Sequence, residues 1–379
     1  MENHSFDNVL GTLKRPDVDG LSFDGSRAVN SNPDTSGHPV RAFHLPTMCQ
    51  DGYHIGQSWN SSHRQWNNGA LDGFVVTSGT EAMGYYTEDD LPATHALAKI
   101  FPVCDRWFCA TLCQTFPNRM FTYAATAQGE TATDVPRRVS ASPPKAGTMF
   151  DLLNKAGISW KNYIGEIGDM MLWGPTYFAQ NAAHVASAAE FYVDAATGLL
   201  PTVSVISPEA FEISEENPQN VAIGEAFVWS IANAVLTSPV WSSTMLVITY
   251  DEHGGYYDHV PPFAVPNPDG IHPNVPNYAP DDYTVSGFRV PTIVISPWAK
   301  ADYVSHVTRE HTAILGFMEK KWTLPPLTRR DASADDLLDI FDFSKPSFAK
   351  PPHIPMPDVL GSTVKCIQAG QRPIAVPGV

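Results

Sequence analysis

The stretch that decides the fold is residues 244–262, which read TMLVITY and then DEHGGYYDHVPP. Residues 244–250 contain few polar side chains and many β-branched ones, which predicts a buried strand of a parallel sheet. The strand ends at two adjacent carboxylates, Asp251 and Glu252, followed by a histidine and two glycines. Open α/β sheets place their ligand chemistry beyond the carboxyl ends of the strands. This turn is therefore the first candidate for a functional site.

Two interpretations of the acidic pair follow from the residue types. Adjacent carboxylates are costly to bury unless a cation or a proton neutralises them, so Asp251 and Glu252 indicate a bound metal ion. The structural alternative is a solvated acidic turn that begins the following segment. The spacing of the two residues leaves both interpretations open.

The surrounding segments predict strands that alternate with helices, which is typical of an α/β fold. Val221–Leu236 has an amphipathic pattern with Phe227, Ile231 and Val235 on one stripe. We expect a mostly parallel central sheet flanked by helices, with long loops over the site. The other predicted strands are residues 101–110, 202–207 and 290–296, and the other predicted helices are residues 148–156, 178–194 and 310–322.

Composition bounds the classes of function. The chain has 379 residues, of which 43% are hydrophobic, so it can bury the core of one large domain or of two. Its formal net charge of −16 argues against nucleic acid or an anionic membrane as a docking surface. The net charge does not exclude an anionic substrate, because a bound dication reverses the sign of the local electric field. The sequence leaves the oligomeric state undetermined.

Neither a membrane-spanning apolar run nor a signal peptide is visible in the sequence. MENHSFDN has neither a basic start nor an apolar core. We therefore expect export if the true start lies upstream, and a cytoplasmic protein otherwise.

The five cysteines do not indicate whether the protein functions in an oxidising or a reducing compartment. They are odd in number and too sparse for a disulfide-rich domain. Three of them lie close enough in sequence for a zinc interpretation. Their spacing lacks a C-x-x-C pair and a matching second pair, which favours small buried residues beside a sheet instead. These three are Cys104, Cys109 and Cys113.

Candidate functional residues occur in two further segments near the start of the chain. The first eight residues combine an acid, an amide, a histidine and a hydroxyl, although a polar terminus is often only solvated. Residues 46–76 mix polar and aromatic side chains without periodicity, which indicates a long ordered loop. His63 is the candidate histidine there, with a structural hydrogen-bonding role as the alternative.

Thr115 lies immediately before Phe116-Pro117, a pair that suits the first turn of a helix. As the predicted N-cap, Thr115 places its hydroxyl beside free backbone N–H groups at the positive end of the helix dipole. The same position suits an oxygen that attacks a phosphoryl group, because those N–H groups also favour an anion. Helix capping and nucleophilic chemistry both remain open.

Several separated segments together resemble one known family. The chain is similar to the phosphoesterase family that contains phosphatidylcholine-type, non-specific phospholipases C and a group of acid phosphatases, within the alkaline-phosphatase-like superfamily. The matching segments cover most of the chain in the expected order. They are ENHSFDNVLG, HRQWNNGALDGFV, TFPNR, YDEHGGYYDHVPP, GFRVPTIVISPWAK, EHTAILGFMEKKW and LPPLTRRD.

The resemblance implies a metal-dependent phosphoric ester hydrolase with one divalent ion of undetermined identity. It assigns Glu2 and Asn3 as ligands from the first turn and Asp251 and Glu252 as the opposing ligands. Thr115 would be both a ligand and the nucleophile, passing through a phosphothreonine intermediate. Three carboxylates, an amide and a hydroxyl form a hard, oxygen-rich shell, which suits a divalent cation.

The resemblance also assigns the phosphate-binding side of the site, where this chain departs from the family. It places His63 near the phosphate and gives Asn118 a role in orienting phosphate oxygens. Where the family has a histidine in an EHPP-type segment, ungapped matching puts Glu216. A carboxylate there would repel phosphate and favour a second cation. The family's apolar strand before the ENxSFD turn is also missing from the sequence.

We expect residues 1–345 to form the catalytic domain without its first strand, residues 134–200 to form a lid insertion, and residues 346–379 to form a Pro-rich tail. The substrate is a phosphate ester, either a phospholipid or a small phosphomonoester. An aromatic cage for a quaternary ammonium is one interpretation of four rings, and loop packing is the other. A weakened relative that binds a ligand or partner without turnover is the alternative function. The four rings are Trp59, Trp66, Tyr256 and Tyr257.

Overall fold

The structure is a computed structural model that describes residues 1–50, 55–133, 141–165, 168–209, 213–273 and 279–371. The α-helices of this part of the chain are α1 (Phe6–Leu10), α2 (Trp59–Trp66), α3 (Phe74–Ser78), α4 (Pro92–Ile100), α5 (Thr115–Ala124), α6 (Met149–Ala156), α7 (Gly174–Gln180), α8 (Ala188–Thr197), α9 (Val221–Leu236), α10 (Ala313–Trp322), α11 (Arg329–Ala332) and α12 (Val359–Gln368).

The strands are short and spread along the whole chain. They are β1 (Phe23–Asp24), β2 (Arg27–Ala28), β3 (Ser31–Pro33), β4 (Pro39–Arg41), β5 (Phe43–His44), β6 (Gly84–Tyr85), β7 (Val103–Cys104), β8 (Trp107–Phe108), β9 (Trp160–Ile164), β10 (Val185–Ser187), β11 (Val203–Ile206), β12 (Leu246–Thr249), β13 (Thr292–Ile295), β14 (Val304–Ser305) and β15 (Arg309–Glu310). Helices and strands both contribute extensively, so the predicted α/β class is confirmed.

Two sheets organise the molecule. The larger has four strands in the order β12-β13-β7-β14, and the second has three in the order β10-β9-β11. The three-stranded sheet is parallel throughout. In the four-stranded sheet β12 and β7 both run antiparallel to β13, and β14 alone is parallel to its neighbour β7. The expectation of a buried strand in a parallel sheet at residues 244–250 was wrong in both respects, because the residues of β12 are half-buried and β12 runs antiparallel to β13. An apolar run carries no information on strand direction.

Several predicted elements occur close to their expected bounds. Val221–Leu236 is helical over its full predicted length, and β11, β12 and β13 lie within the predicted strands. Helix α6 begins after Thr148, whose hydroxyl accepts the N–H of Asp151 in a capping box. Helix α10 starts three residues later than predicted, because Arg309–Glu310 forms strand β15.

Other predicted elements were wrong in length. Residues 101–110 form two short strands, β7 and β8, instead of one long strand. The helix predicted over residues 178–194 is divided among α7, a 3₁₀ turn, β10 and α8. The interruption ends at Ser187, whose hydroxyl accepts the N–H of Glu190 and so begins a new helix.

The C-terminal segment is more structured than the predicted tail. It contains α12, which packs against α9. A disulfide joins Cys49 to Cys366 on α12, with a Cα–Cα distance of 5.8 Å. The three closely spaced cysteines are free and buried, as the packing interpretation predicted. Residues 134–140 of the predicted lid and 372–379 of the tail lie outside the described residues.

The site lies where two parts of the hydrophobic core meet. The larger part packs α1, α4 and α9 against the four-stranded sheet. The second part gathers apolar side chains of α5, α6 and α10 beside the three-stranded sheet. The ends of α5 and β12 therefore come from different parts of the core, and this positions their polar residues against one another.

Candidate active site

The first three residues pair with the end of β12. The Met1 ammonium donates to the Thr249 carbonyl at 3.1 Å, and the Asp251 N–H donates to the Met1 carbonyl at 3.1 Å. On the other side, the Glu2 N–H donates to the Ser214 carbonyl at 2.9 Å. These bonds bring the start of the chain to the acidic turn, 248 residues away in sequence.

Asn3 and Asp251 are joined directly. The Asn3 N–H donates to Asp251 Oδ1 at 3.1 Å, and the Glu252 N–H donates to the same oxygen at 2.7 Å. Asn3 has a φ of 65°, a left-handed conformation that asparagine tolerates better than most residues. Gly254 has a φ of +66° and lies so close to Asn3 that a Cβ there would sit 1.8 Å from the Asn3 carbonyl oxygen. The glycine therefore permits the contact between the two turns.

Thr115 is the first residue of α5, whose N-cap is Gln114. The prediction that Thr115 is the N-cap was wrong by one residue, because helix geometry already begins at Thr115. Its Oγ1 donates to Asn3 Oδ1 at 3.4 Å, and the residue is buried. Two hydrogen bonds thus connect Thr115 to Asp251 through Asn3, and the hydroxyl lies at the positive end of a ten-residue helix.

Asn118 holds the loop in front of Thr115. Its Oδ1 accepts the Thr111 N–H at 3.0 Å. Its amide nitrogen faces the carbonyls of Thr111, Cys113 and Gln114 at 2.9–3.2 Å. An amide nitrogen carries only two hydrogens, so these carbonyls occupy the donors that a phosphate oxygen would need. The geometry makes Asn118 a clamp on the loop and leaves its expected role toward phosphate as an untested prediction.

Arg119 is a site residue that the sequence analysis missed. Its side chain is 14% exposed and donates to Glu2 Oε1 at 2.8 Å, Asp251 Oδ2 at 3.2 Å and Asp169 Oδ1 at 3.1 Å. Although burial lowers the pKa of Arg119, the three carboxylates raise it well above its usual value. The available signal was its position in TFPNR, one helical turn after Thr115 and hence on the same face of α5.

The site buries more carboxylates than the single positive charge of Arg119 can neutralise. Burial raises the pKa of Glu252 well above its usual value, and the charge of Asp251 adds to the effect. Burial is also the main cause that raises the pKa of Glu2, where Arg119 opposes it. Glu252 Oε2 accepts the Gly254 N–H at 2.6 Å, whereas its Oε1 is buried and has no hydrogen-bond partner within the described residues.

This donor set fits a divalent cation. A buried carboxylate oxygen without a partner is costly, and a cation would remove that cost. The residues assigned as ligands supply carboxylate, amide and hydroxyl oxygens, which hard divalent ions prefer. Arg119 holds one oxygen of Glu2 and one of Asp251, so a cation would compete with the guanidinium for these two side chains.

Glu216 lies close to the same carboxylates. Burial, followed by the charges of Glu2 and Asp251, raises the pKa of Glu216 to about 8. The residue is half-buried. With a pKa of about 8 the Glu216 carboxyl is largely protonated at neutral pH and adds negative charge to the acidic centre only as the pH rises through 8. The expectation that a carboxylate there disfavours phosphate stays a prediction.

His63 lies on α2, not on the predicted long loop, because Ser58 caps a helix there. Its Nδ1 lies 2.7 Å from the Trp59 carbonyl and its Nε2 lies 3.2 Å from Asp281 Oδ2. Burial raises the pKa of Asp281, but the His63 hydrogen bond and others lower it more, so its net shift is downward. Both ring nitrogens of His63 are engaged by these partners rather than by the residues around Thr115.

The four aromatic residues considered for a cage make their ring contacts with other side chains and not with one another. Trp59 lies against His63 and Tyr283, with ring centroids 4.4 Å and 5.6 Å away. Tyr256 is fully buried and stacks on His4 at 4.8 Å. Tyr257 packs edge-on to Phe74, while Trp66 lies at the periphery of that cluster. These contacts support the packing interpretation.

A second acidic cluster lies away from Thr115. Among the described residues, Asp7, Asp258 and His259 are the one group of three acidic, histidine or cysteine side chains whose ligand atoms lie within 4.8 Å of one another. Arg289 already donates to Asp7 Oδ1 at 3.0 Å and to Asp258 Oδ1 at 2.8 Å. The Arg289 guanidinium and a protonated His259, whose pKa is raised to about 9, together balance the two carboxylates, so the cluster is an ion-pair network. Its members lie in the SFDN and YYDHVPP segments and were not predicted as a site.

No helix within the described ranges has both the length and the apolar character to cross a membrane.

The phosphoesterase family model matches residues 1–325. Non-specific phospholipase C1 of Arabidopsis thaliana is 33% identical over 366 residues, which cover 88% of this chain and 68% of that protein. Phospholipase C A of Mycobacterium tuberculosis is 29% identical over 419 residues, covering 97% and 80%. Non-hemolytic phospholipase C of Burkholderia pseudomallei is 29% identical over 427 residues, covering 95% and 60%.

Solved structures with similarity to the chain include a protein of the alkaline phosphatase superfamily from Vibrio parahaemolyticus. It has 12% sequence identity and a TM-score of 0.38, and the match covers 79% of this chain and 71% of that one. The family resemblance predicted from the motifs is confirmed by the family model and by the sequence relatives. The chain belongs to the phosphoesterase family and is a hydrolase of phosphoric esters.

Proposed function

We propose that the chain is a metal-dependent phosphoric ester hydrolase in which Thr115 is the nucleophile. The observation that carries the proposal is the hydrogen-bonded chain from Thr115 through Asn3 to Asp251. It brings a hydroxyl at a helix N-terminus into a cluster of buried carboxylates. A threonine that served only to begin a helix would have no need of that cluster.

Glu2, Asn3, Asp251 and Glu252 would hold the divalent ion together with Thr115. When bound, the ion would supply a Lewis acid that polarises a phosphoryl oxygen and lowers the pKa of the Thr115 hydroxyl. The N–H groups at the start of α5 favour the negative charge of the phosphoryl group. Asn118 keeps these groups in place by fixing the loop before Thr115.

In the proposed reaction Thr115 Oγ1 forms a bond to phosphorus as the bond to the leaving alcohol breaks. The product is a phosphothreonine, and attack by water on phosphorus later releases phosphate, or a phosphomonoester, and regenerates the hydroxyl. Arg119 contacts one oxygen of Glu2 and one of Asp251, so a bound ion would share these two carboxylates with the guanidinium.

The names of the sequence relatives favour a phospholipid as the substrate. Phospholipase C chemistry on that substrate breaks the bond between the glycerol oxygen and phosphorus. A small phosphomonoester is the other substrate class, because both kinds of ester present the phosphoryl group that Thr115 would attack.

The test measures hydrolysis of p-nitrophenyl phosphate and p-nitrophenyl phosphorylcholine by metal-stripped protein, with and without Mg²⁺, Mn²⁺, Ca²⁺ or Zn²⁺. We expect metal-dependent turnover that falls by about a thousandfold in Thr115→Ala, since the nucleophile is lost. Thr115→Ser retains part of the activity. Thr122→Ala is the control on the same helix, because within the described part of the chain the Thr122 hydroxyl bonds to the Asn118 backbone carbonyl and to none of the carboxylates. Equal rates in wild type and Thr115→Ala would reject the mechanism.

A weakened relative that binds without turnover is the second candidate, and Glu216 is the observation that favours it. Once it ionises, as the pH rises through about 8, the Glu216 carboxylate adds its charge to those of Glu2 and Asp251 and opposes an incoming phosphate. If this candidate is right, the wild type binds phosphate esters with negligible turnover and Glu216→His gains activity. Robust wild-type turnover that Glu216→His leaves unchanged would exclude it.

A further inference from the structure

Asp169 is the third carboxylate that Arg119 contacts, and no motif assigned it to the candidate active site. It is the first residue of a 3₁₀ turn that comes after β9 in the chain, and its side chain is 2% exposed. Its Oδ1 accepts Arg119 Nη1 at 3.1 Å. The other two carboxylates, Glu2 and Asp251, come from the start of the chain and from the turn after β12.

Hydrogen bonds fix Asp169 to the three-stranded sheet. Its Oδ2 accepts the Ser207 hydroxyl at 2.6 Å and the Asn162 side-chain amide at 3.0 Å, and its N–H donates to Asn162 Oδ1 at 3.2 Å. Asn162 lies on β9 and is fully buried, and Ser207 directly follows β11. Because Oδ2 already has two donors, the carboxylate is held in one orientation, with Oδ1 toward Arg119.

The guanidinium of Arg119 divides its donors among three carboxylates. Nη1 donates to Asp169, Nη2 donates to Glu2, and Nε donates to Asp251. A guanidinium is planar and rigid, so a fixed partner at Nη1 restricts where Nη2 and Nε can point. Glu2 and Asp251 are assigned as cation ligands, whereas Asp169 is not. A cation would therefore compete with Arg119 for two of the three carboxylates, and Asp169 is the one that bonds to Arg119 outside this competition.

We propose that Asp169 is a positioning residue that raises the affinity of the acidic centre for a divalent cation by holding the Arg119 guanidinium. This inference rests on the metal dependence proposed above. The negative charge of Asp169 offsets part of the positive charge of Arg119, so the guanidinium competes less strongly with a cation for Glu2 and Asp251. In a buried site such competition depends strongly on each neighbouring charge, because water screens the charges only weakly.

A purely structural role is the competing interpretation. Asp169 also shares a hydrogen bond with Tyr123 of α5, and burial, followed by the charge of Asp169, raises the pKa of Tyr123 well above its usual value. Loss of the carboxylate would then loosen the packing of α5 against the three-stranded sheet. This interpretation predicts that Asp169→Asn lowers the thermal midpoint and leaves the cation dissociation constant of the folded protein unchanged.

The test measures the dissociation constants of Mg²⁺, Mn²⁺, Ca²⁺ and Zn²⁺ by isothermal titration calorimetry on the metal-stripped full chain. Asp169→Asn removes the charge at nearly constant volume, and Asp169→Glu keeps the charge. Asp169→Ser is a second neutral variant, which preserves the comparison if the asparagine variant does not fold. Asp194→Asn is the matched control, because Asp194 is a buried carboxylate that bonds to Lys161 and Tyr163 of β9.

We expect the dissociation constant of the cation that binds most tightly to rise at least about tenfold in the neutral Asp169 variants and less than about threefold in Asp169→Glu and Asp194→Asn. An unchanged dissociation constant in Asp169→Asn would overturn the inference and leave the proposed function standing. An equal loss of affinity in Asp194→Asn would also overturn it, because the loss of any negative charge would then suffice. Absence of cation binding by the wild type would overturn both the inference and the proposed function.

Discussion

At the scale of single residues, the site is governed by how buried carboxylates are neutralised. Glu2, Asp251 and Asp169 share the guanidinium of Arg119. Among the described residues, the basic side chain in contact with Glu252 is His253, whose pKa burial lowers to about 3. Burial raises the pKa values of Glu2 and Glu252, which means that their charged forms need a counter-charge. Arg119 supplies one positive charge, and the remaining negative charge is the physical reason to expect a cation.

Arg119→Met should destabilise the fold by about 3–5 kcal/mol, because it leaves buried carboxylates without their partner. The measurement is the free energy of unfolding from denaturant titration. Arg64→Met is the matched control, since Arg64 pairs with Asp72 at the surface and both side chains are at least 40% exposed. That variant should lose less than about 1 kcal/mol. Similar losses in both variants would show that Arg119 is not the central counter-charge.

His259 predicts a pH dependence of stability. Burial alone lowers its pKa, but the hydrogen bond and charge of Asp7 raise it to about 9. A pKa above the unfolded value of about 6.5 means that this stabilisation is complete below that pH and disappears as the pH rises through 9.

We therefore expect the wild type to lose about 2–3 kcal/mol of unfolding free energy between about pH 6.5 and 9.5 relative to His259→Gln. Denaturant titrations across this range provide the measurement. His272→Gln is the control, because His272 is 70% exposed. Parallel profiles for wild type and His259→Gln would contradict the expectation.

At the scale of elements, the site depends on how the turn after β12 meets the first turn of the chain. The close approach of Gly254 to Asn3 sets that geometry, and the start of α5 supplies Thr115. Neither α5 nor β12 has an unusual local structure. The candidate chemistry arises because the ends of two elements and the chain start are packed within hydrogen-bonding distance.

Gly254→Ala should abolish most activity, because its Cβ would sit 1.8 Å from the Asn3 carbonyl oxygen and displace Asn3. Gly270→Ala is the matched control. Gly270 has a φ of +80° and no atom within 4 Å of the added Cβ. Its substitution should therefore lower the free energy of unfolding only by the backbone strain of about 1–2 kcal/mol. Hydrolysis rates and thermal midpoints of both variants give the comparison. Equal effects would mean that backbone strain, not the contact with Asn3, decides the outcome.

At the scale of the whole molecule, contacts between distant parts of the chain hold the structure together. The disulfide between Cys49 and Cys366 spans 317 residues and attaches α12 to the segment that contains Met48 and Cys49. The Val221 N–H donates to the Met48 carbonyl at 3.0 Å, so the same segment also supports the start of α9.

Cys366→Ser should lower the free energy of unfolding by about 3–5 kcal/mol, because a long loop is no longer closed in the unfolded chain. Thermal unfolding in oxidising buffer measures the effect. Reducing agent should lower the wild-type midpoint toward that of Cys366→Ser and leave the variant unchanged. If the wild type and the variant unfold alike without reductant, the disulfide does not contribute to stability.

The sequence by itself determined the elements that depend on local patterns. The amphipathic period of Val221–Leu236 and the β-branched runs at β11, β12 and β13 predicted those elements, because periodicity and propensity act within a few residues. The motifs also identified the family. They named Thr115, Asn3 and Asp251, which the structure brings together, although their roles toward a metal stay predictions.

Only the tertiary structure decided the strand directions, the loop-holding geometry of Asn118, the role of Arg119 and the disulfide. An apolar run predicts a strand but does not record which neighbour the strand pairs with or how deeply it is buried, and β11 and β12 are both half-buried. Arg119 carries no motif signal for its partners, since Glu2, Asp169 and Asp251 come from three separate segments. These features depend on which groups meet when distant parts of the chain pack, and that information is not contained in any local stretch of sequence.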